Sequence, residues 1–132
     1  MEDVKIKLSA LWVFLAVGTL ASPLVFALWM PGVIDQIIAG EVYGEVLSEG
    51  LIAVAIFFLL VPMIMALLHL YLKDSTNRWV NIIVGIVFVF FGILGVIDSM
   101  MSIPSLLLME VPKLVVPVLI VWHAWKWPKK KD

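Results

Sequence analysis

Three ionisable residues fall within or beside long apolar stretches of the sequence, where a charge is costly and needs an explanation. Glu110 and Lys113 are three residues apart, so on a helix they share one face and can neutralise each other. Asp98 has a similar depth near the end of the preceding apolar stretch. These residues predict either an outward-facing polar pocket or proton-accessible cleft, or an intrahelical ion pair with a snorkelling Lys113 and a solvated Asp98.

Two histidines and one asparagine are weaker candidates for a site. His69 and His123 each lie a few residues before the end of an apolar stretch, at similar depth if the helices are antiparallel. Metal or haem ligation between two helices is geometrically conceivable there. Because no further His, Cys or acidic ligand accompanies them at that depth, we predict no metal site and no cofactor. Asn81 is expected to hydrogen-bond a neighbouring helix.

The motifs of the common catalytic sites are absent from the sequence. It has no Walker-type loop, no His-Glu-x-x-His pair, no nucleophile elbow and no Asp-rich cation motif. The absence of cysteine excludes thiol redox chemistry and thiolate metal sites of the chain's own making. We therefore assign no catalytic residue and lean towards a non-enzymatic role. The only dense basic run is Lys129–Lys131, so we predict no nucleic acid partner.

The composition indicates that these residues are held by membrane helices. Of the 132 residues, 64% are hydrophobic and 14% charged, and the mean hydropathy is +1.14. Soluble domains are near half apolar and about a quarter charged. Four apolar stretches of roughly 23 residues can each cross a hydrocarbon core as a helix, and they lack barrel-type alternation. They cover residues 8–30, 50–72, 79–101 and 105–127. The predicted fold is an all-α membrane protein, one domain forming an antiparallel bundle of four transmembrane helices.

The positive charges predict the orientation of this bundle. Eight of the nine Lys and Arg residues precede the first span, separate the second from the third, or close the chain: Lys5, Lys7, Lys73, Arg78, Lys126, Lys129, Lys130 and Lys131. The positive-inside rule makes that side cytoplasmic. We therefore predict a multi-pass protein of the inner (plasma) membrane with cytoplasmic N- and C-termini. Membrane lipids are the expected partners, and self-association into a homo-oligomer is left open.

The connections between the spans differ in character. The first, residues 31–49, is acidic and carries apolar residues at helical spacing, which favours a short helix on the outer surface, interrupted by Gly40 and Gly44. The second, residues 73–78, predicts a tight polar turn that makes the second and third helices antiparallel neighbours, with Asn77 as an N-cap. In the third helix, small residues suit close helix packing: Gly85, Gly92 and Gly95.

Several boundary segments resemble a family of small prokaryotic four-span integral membrane proteins of unknown function. The similar segments are Lys7–Trp12, Met30–Gly32, Asn77–Ile83 and Trp122–Pro128. The resemblance runs along the whole chain; it implies four helices and a bacterial or archaeal source, and no activity. In size and span count the chain is also distantly similar to the DoxX-like membrane proteins, a likeness of fold that does not carry function.

Three functions are compatible with these features. The leading hypothesis is a non-enzymatic membrane protein that binds a lipid-like or small apolar ligand, or a membrane partner. One alternative is a subunit of a small oligomeric transporter or channel, with Glu110, Lys113 and Asp98 in an outer polar vestibule. Another is a membrane enzyme acting on a lipidic substrate, with Glu110 as acid or base and Lys113 as its electrostatic partner.

Overall fold

The computed structural model describes residues 2–29, 31–42, 45–46, 48–102 and 104–127. A short 3-10 turn, Pro104–Leu106, precedes the last helix. The other elements are α1 (Glu2–Trp29), α2 (Val33–Ile38), β1 (Glu41–Val42), β2 (Glu45–Val46), α3 (Glu49–Leu68), α4 (Asp74–Met101) and α5 (Leu107–Trp125). Within these residues, α1, α3, α4 and α5 are long and apolar enough to cross a membrane, so the prediction of four such helices is confirmed.

The start of α4 differs from the sequence prediction. The helix begins at Asp74, so most of the stretch expected to form a turn is helical. Asn77 is not the N-cap; that position is held by Lys73. The buried amide of Asn77 instead donates to the carbonyls of Leu72 (3.2 Å) and His69 (3.5 Å), which close the preceding helix. An acidic residue suits the first turn of a helix because of the helix dipole, which explains the earlier start at Asp74.

The connection between α1 and α3 contains the short helix expected from its apolar spacing. Val33 is the buried residue of α2, and the helix packs against α1. Gly32 and Gly40 flank it with φ angles of +81°, a left-handed conformation that glycine adopts without strain. Gly40 therefore ends the helix as predicted, whereas Gly44 lies outside the described residues. The antiparallel ladder of β1 and β2 was not predicted, because two-residue strands are too short to show alternation.

The helices pack in the order α3, α1, α5, α4, with α1 between α3 and α5 and α5 against α4. Glycines bring α4 and α5 together: a Cβ at Gly85 would lie 2.7 Å from Val121 Cγ2, and one at Gly92 would lie 3.1 Å from Leu114 Cα. The predicted use of these small residues for close packing is thus confirmed. Because α3 lies on the far side of α1, it approaches α4 through side chains.

Aromatic rings bridge the space between α3 and α4. The ring of Phe58 in α3 meets Phe88 edge-on at 5.6 Å and Phe91 at 4.7 Å between centroids. These rings border the buried apolar core, which comprises Leu8, Trp12, Leu15, Met65, Phe88, Val116, Ile120 and Trp127. Large apolar side chains are exposed on the outside of all four long helices, as expected for surfaces that face lipid rather than water.

Polar contacts join three helix ends at one end of the bundle. Lys5 at the start of α1 forms an ion pair of 3.2 Å with Asp74 at the start of α4. Arg78, one turn further along α4, donates to the carbonyls of Ala124 and Trp125 at the end of α5, each at 3.2 Å. The basic residues Lys129–Lys131 follow this end in the sequence and lie outside the described residues.

Candidate functional site

The two charged residues of α5 form an ion pair in the half of the bundle opposite these helix ends. The Lys113 ammonium lies 3.2 Å from Glu110 Oε1, and the side chains are only 20% and 14% exposed. The ammonium also donates to the hydroxyl of Ser22 in α1, at 3.2 Å. The intrahelical pair suggested by the i, i+3 spacing is therefore present, and it is also tied to a second helix.

Two glycines make room for this ion pair. A Cβ at Gly18 of α1 would lie 3.1 Å from Lys113 Cγ, so the aliphatic part of the lysine rests directly on the α1 backbone. A Cβ at Gly95 of α4 would lie 2.7 Å from Glu110 Oε2. The pair is thus enclosed between α1 and α4, in space that the two glycines leave open.

Two adjoining cavities share the ion pair as part of their walls. The small cavity has a volume of about 270 Å³ and the large cavity about 580 Å³. Both are lined by Thr19 of α1, Phe58 of α3, and Glu110 and Lys113 of α5. The small cavity extends towards α4, and the large one towards α2 and the start of α5. The two cavities therefore adjoin at the ion pair.

Apolar side chains form most of the remaining walls. Ile37 of α2 and Leu106 line the large cavity on the side of the connecting segments. The hydroxyl of Thr19 is engaged, because it donates to the Leu15 carbonyl of its own helix at 2.8 Å. The other lining residues are Leu15, Phe88, Phe91, Gly92 and Gly95 for the small cavity, and Leu20, Ser22, Pro23, Leu24, Ala27, Ala55 and Leu59 for the large one. A mostly apolar cavity with a few convergent polar groups is typical of small-molecule sites.

Asp98 does not belong to this site. It is exposed near the end of α4, its backbone carbonyl accepts a hydrogen bond from Ser102, and it lines neither cavity. The structure therefore brings together two of the three charged residues singled out in the sequence, Glu110 and Lys113.

A second polar cluster occupies the core near the joined helix ends. The indole N–H of Trp12 in α1 donates to Asn81 Oδ1 in α4 at 2.7 Å. His69, which follows α3, places Nε2 3.2 Å from the same oxygen. The Ser9 hydroxyl of α1 lies 3.1 Å from the Ala66 carbonyl and 3.3 Å from His69 Nδ1. The expected bond from Asn81 to a neighbouring helix is present, within a network that joins α1, α3 and α4.

The hydrogens of this network follow from its partners. The Trp12 indole can only donate and the Asn77 carbonyl, 2.7 Å from Asn81 Nδ2, can only accept, so the orientation of the Asn81 amide is fixed. Its oxygen therefore accepts from His69, and His69 Nε2 carries a hydrogen. Among the described residues every buried polar side-chain atom has a partner. A fully satisfied buried network of this kind specifies how helices pack.

The two histidines have separate environments. His69 is buried with Ser9 and Asn81, whereas the half-buried ring of His123 meets Trp122 edge-on at 5.0 Å. No group of three His, Cys, Asp or Glu side chains that could hold a metal occurs among the residues that the structure describes. His69 therefore belongs to the network that joins α1, α3 and α4.

The sequence model of one protein family matches residues 1–132, the whole chain. The chain belongs to the family of unknown function DUF6326. The prediction of membership in a family of unknown function is therefore confirmed over the full length. No curated protein and no solved structure shows a significant similarity to the chain. The DUF6326 family supplies no activity, so the function has to be argued from the site.

Proposed function

We propose that the protein is a non-enzymatic integral membrane protein that binds one amphipathic, lipid-like molecule in the two adjoining cavities. The observation that carries this proposal is the placement of one enclosed ion pair, Glu110 and Lys113, on a mostly apolar wall. A cavity of about 580 Å³ falls in the range of about 300–1,000 Å³ typical of ligand sites.

The polar group of the ligand binds at Lys113. An ammonium has three N–H donors, and in Lys113 two of them are directed to Glu110 and Ser22. The third can donate to a hydroxyl, carbonyl or ester oxygen of a ligand. The apolar part of the molecule then lies against Phe58 and the aliphatic side chains of α1 and α3. It passes from the apolar interior of the membrane into an apolar cavity and is not exposed to water.

The location of this site follows from the orientation of the bundle. We propose a plasma membrane of a prokaryotic cell, with both termini in the cytoplasm and a topology similar to that of DoxX-like proteins. This is supported by the positive residues Lys5, Lys73, Arg78 and Lys126, which lie at the end of the bundle opposite the cavities. The ligand site is then in the outer leaflet.

Transport or catalysis would use the same two charged residues. Among the described residues that line the cavities, Glu110 and Lys113 are the ionisable ones, and each is already engaged by the other. A general acid or base exchanges a proton with its substrate, and here the carboxylate of Glu110 is held in an ion pair with Lys113. We therefore expect the unsubstituted protein to support no ion or solute flux above background in proteoliposomes, and Glu110→Gln to give the same result. A flux that the unsubstituted protein supports and Glu110→Gln abolishes would favour the transporter.

Native mass spectrometry of protein released gently from detergent tests the binding proposal. The unsubstituted protein should retain one defined molecule. Ala55→Trp should lose it, because Ala55 lines the large cavity and the indole would fill the space. Ala53→Trp is the matched control: Ala53 is exposed on the same helix and lines neither cavity, so its adduct should persist.

Two results of that experiment would contradict the proposal. One is an unsubstituted protein without any adduct after extraction in a mild detergent. The other is an adduct that survives equally in Ala55→Trp and Ala53→Trp, which would place the bound molecule elsewhere. Lys113→Gln adds a test of the polar end, since the adduct should remain but dissociate at lower collision energy.

A further inference from the structure

A cluster of cationic and aromatic side chains surrounds the junction of α4 and α5 at the end opposite the cavities. The Arg78 guanidinium lies 5.4 Å from the ring centre of Trp79 and 5.6 Å from that of Trp125. The Lys126 ammonium lies 4.6 Å from the ring centre of Trp122. Two cations are thus held among three exposed indoles, the residue type that prefers the depth of lipid headgroups.

Arg78 retains donors for a ligand. Its Nε and Nη2 each donate one hydrogen bond, to the carbonyls of Ala124 and Trp125 at the end of α5. A guanidinium has five N–H groups, so three remain. The nearest carboxylate along α4, Asp74, is paired with Lys5 at 3.2 Å. Arg78 is therefore not paired with the nearest carboxylate of its own helix, and its guanidinium is held in place by the bonds it makes to α5.

An apolar groove leads away from this cluster towards the middle of the bundle. It runs between α4 and α5, has a volume of about 380 Å³, and is lined by Ile86, Val89, Val118, Val121, Trp122 and Trp125. Trp122 and Trp125 therefore belong both to the cluster and to the groove. When the anionic group of a molecule is bound at Arg78 and Lys126, the apolar part of the same molecule can lie along this groove.

We propose that this surface is a binding site for an anionic phospholipid, with the phosphate at Arg78 and Lys126 and one acyl chain in the groove. Guanidinium donors match phosphate oxygens in geometry and charge, and basic residues at the membrane surface attract anionic lipids. The site shares no residue with the two cavities and does not depend on their function.

Native mass spectrometry with added lipids tests the site. Delipidated protein is mixed with equal amounts of phosphatidylglycerol and phosphatidylcholine with identical acyl chains, and the bound fractions are compared. Phosphatidylglycerol should be preferred. Lys126→Gln should lower that preference about fivefold, the contribution expected of one surface cation. Arg78→Gln combined with Lys126→Gln should bring the two lipids close to parity.

The groove has its own matched pair of variants. Val118 lines the groove and Val115, on the same helix and equally exposed at 47%, does not. Val118→Trp should reduce binding of both lipids, and Val115→Trp should not. Equal binding of the two lipids by the unsubstituted protein would overturn the proposal. So would a preference that is unchanged by Arg78→Gln with Lys126→Gln but lost when Lys129–Lys131 are replaced by Gln.

Discussion

Replacing Asn81 by Leu should lower the free energy of unfolding, because it removes hydrogen bonds that hold α4 to its neighbours. The Asn81 amide is fully buried, accepts from Trp12 at 2.7 Å and His69 at 3.2 Å, and donates to the Asn77 carbonyl at 2.7 Å. Leu has a similarly branched shape and no polar atom. Asn81→Leu therefore leaves the N–H groups of Trp12 and His69 in the core without an acceptor.

The size of the effect follows from the two orphaned donors. A buried donor that loses its partner costs about 1–3 kcal/mol. Hydrogen bonds between membrane helices average only about 0.6 kcal/mol, with a maximum of about 1.7, because the unfolded chain in the membrane finds other partners. Two such bonds give a loss in the free energy of unfolding of about 2 kcal/mol for Asn81→Leu.

A double-mutant cycle separates the hydrogen bond from changes in packing. Trp12→Phe removes the indole N–H and keeps an aromatic ring beside Phe88, which Trp12 meets edge-on at 5.6 Å. Trp12→Phe should lower the free energy of unfolding by about 1 kcal/mol less in the Asn81→Leu background than in the unsubstituted protein. The reason is that Asn81→Leu has already removed the acceptor of the indole N–H. Equilibrium unfolding in mixed detergent micelles, followed by the fluorescence of the remaining tryptophans, gives both values. A coupling energy of zero would refute the assignment of the network.

Two further predictions concern orientation and helix packing. Because the chain has no cysteine, single cysteines report topology cleanly: Ser48→Cys should react with a membrane-impermeant maleimide on intact cells, and Ser75→Cys only after permeabilisation. The reverse pattern would invert the bundle. Gly85→Ala should lower the free energy of unfolding by about 1–3 kcal/mol, because its Cβ would lie 2.7 Å from the stiff side chain of Val121. Gly50→Ala is the control, with Ser48 Oγ at 3.9 Å as its nearest neighbour, and should be near neutral; equal effects of the two would contradict the packing.

The helices could be predicted from the sequence because hydropathy alone determines which segments suit a membrane. The residues at which the helices begin and end were harder to predict, since they depend on local capping. Asn77 has the side chain of an N-cap, yet it lies inside α4 and closes the preceding helix instead. The order of the helices was also beyond reach, because it depends on close approaches such as Gly85 against Val121 rather than on mean hydropathy.

The part of the candidate site that joins residues close together in the sequence was predictable. The pairing of Glu110 with Lys113 follows from their i, i+3 spacing. The contacts that enclose it, Lys113 with Ser22 and Gly18, join residues about ninety positions apart and leave no periodic signal. Asp98 is a carboxylate like Glu110 and has a similar depth in the sequence, but it is exposed. A sequence does not show which way one carboxylate points.

The network around His69 was missed for a related reason. Asn81 is conspicuous as a polar residue in an apolar stretch. Ser9 and Trp12 are not, because a serine and a tryptophan are ordinary residues near the start of an apolar stretch. Their role depends on the contact of three helices at one depth. A rule that pairs an isolated intramembrane Asn with a donor-only indole of a neighbouring span would have found it.

Site-specific photo-crosslinking in intact membranes tests the proposed ligand site most directly. A photoreactive phenylalanine analogue is placed at Phe58, which lines both cavities, or at Phe90, which is 57% exposed and lines neither. After irradiation, mass spectrometry identifies the molecule attached at each position. We expect one defined amphipathic molecule at Phe58 and a mixture of bulk lipids at Phe90. The same mixture at both positions would contradict it, because the cavities would then hold no ligand of their own.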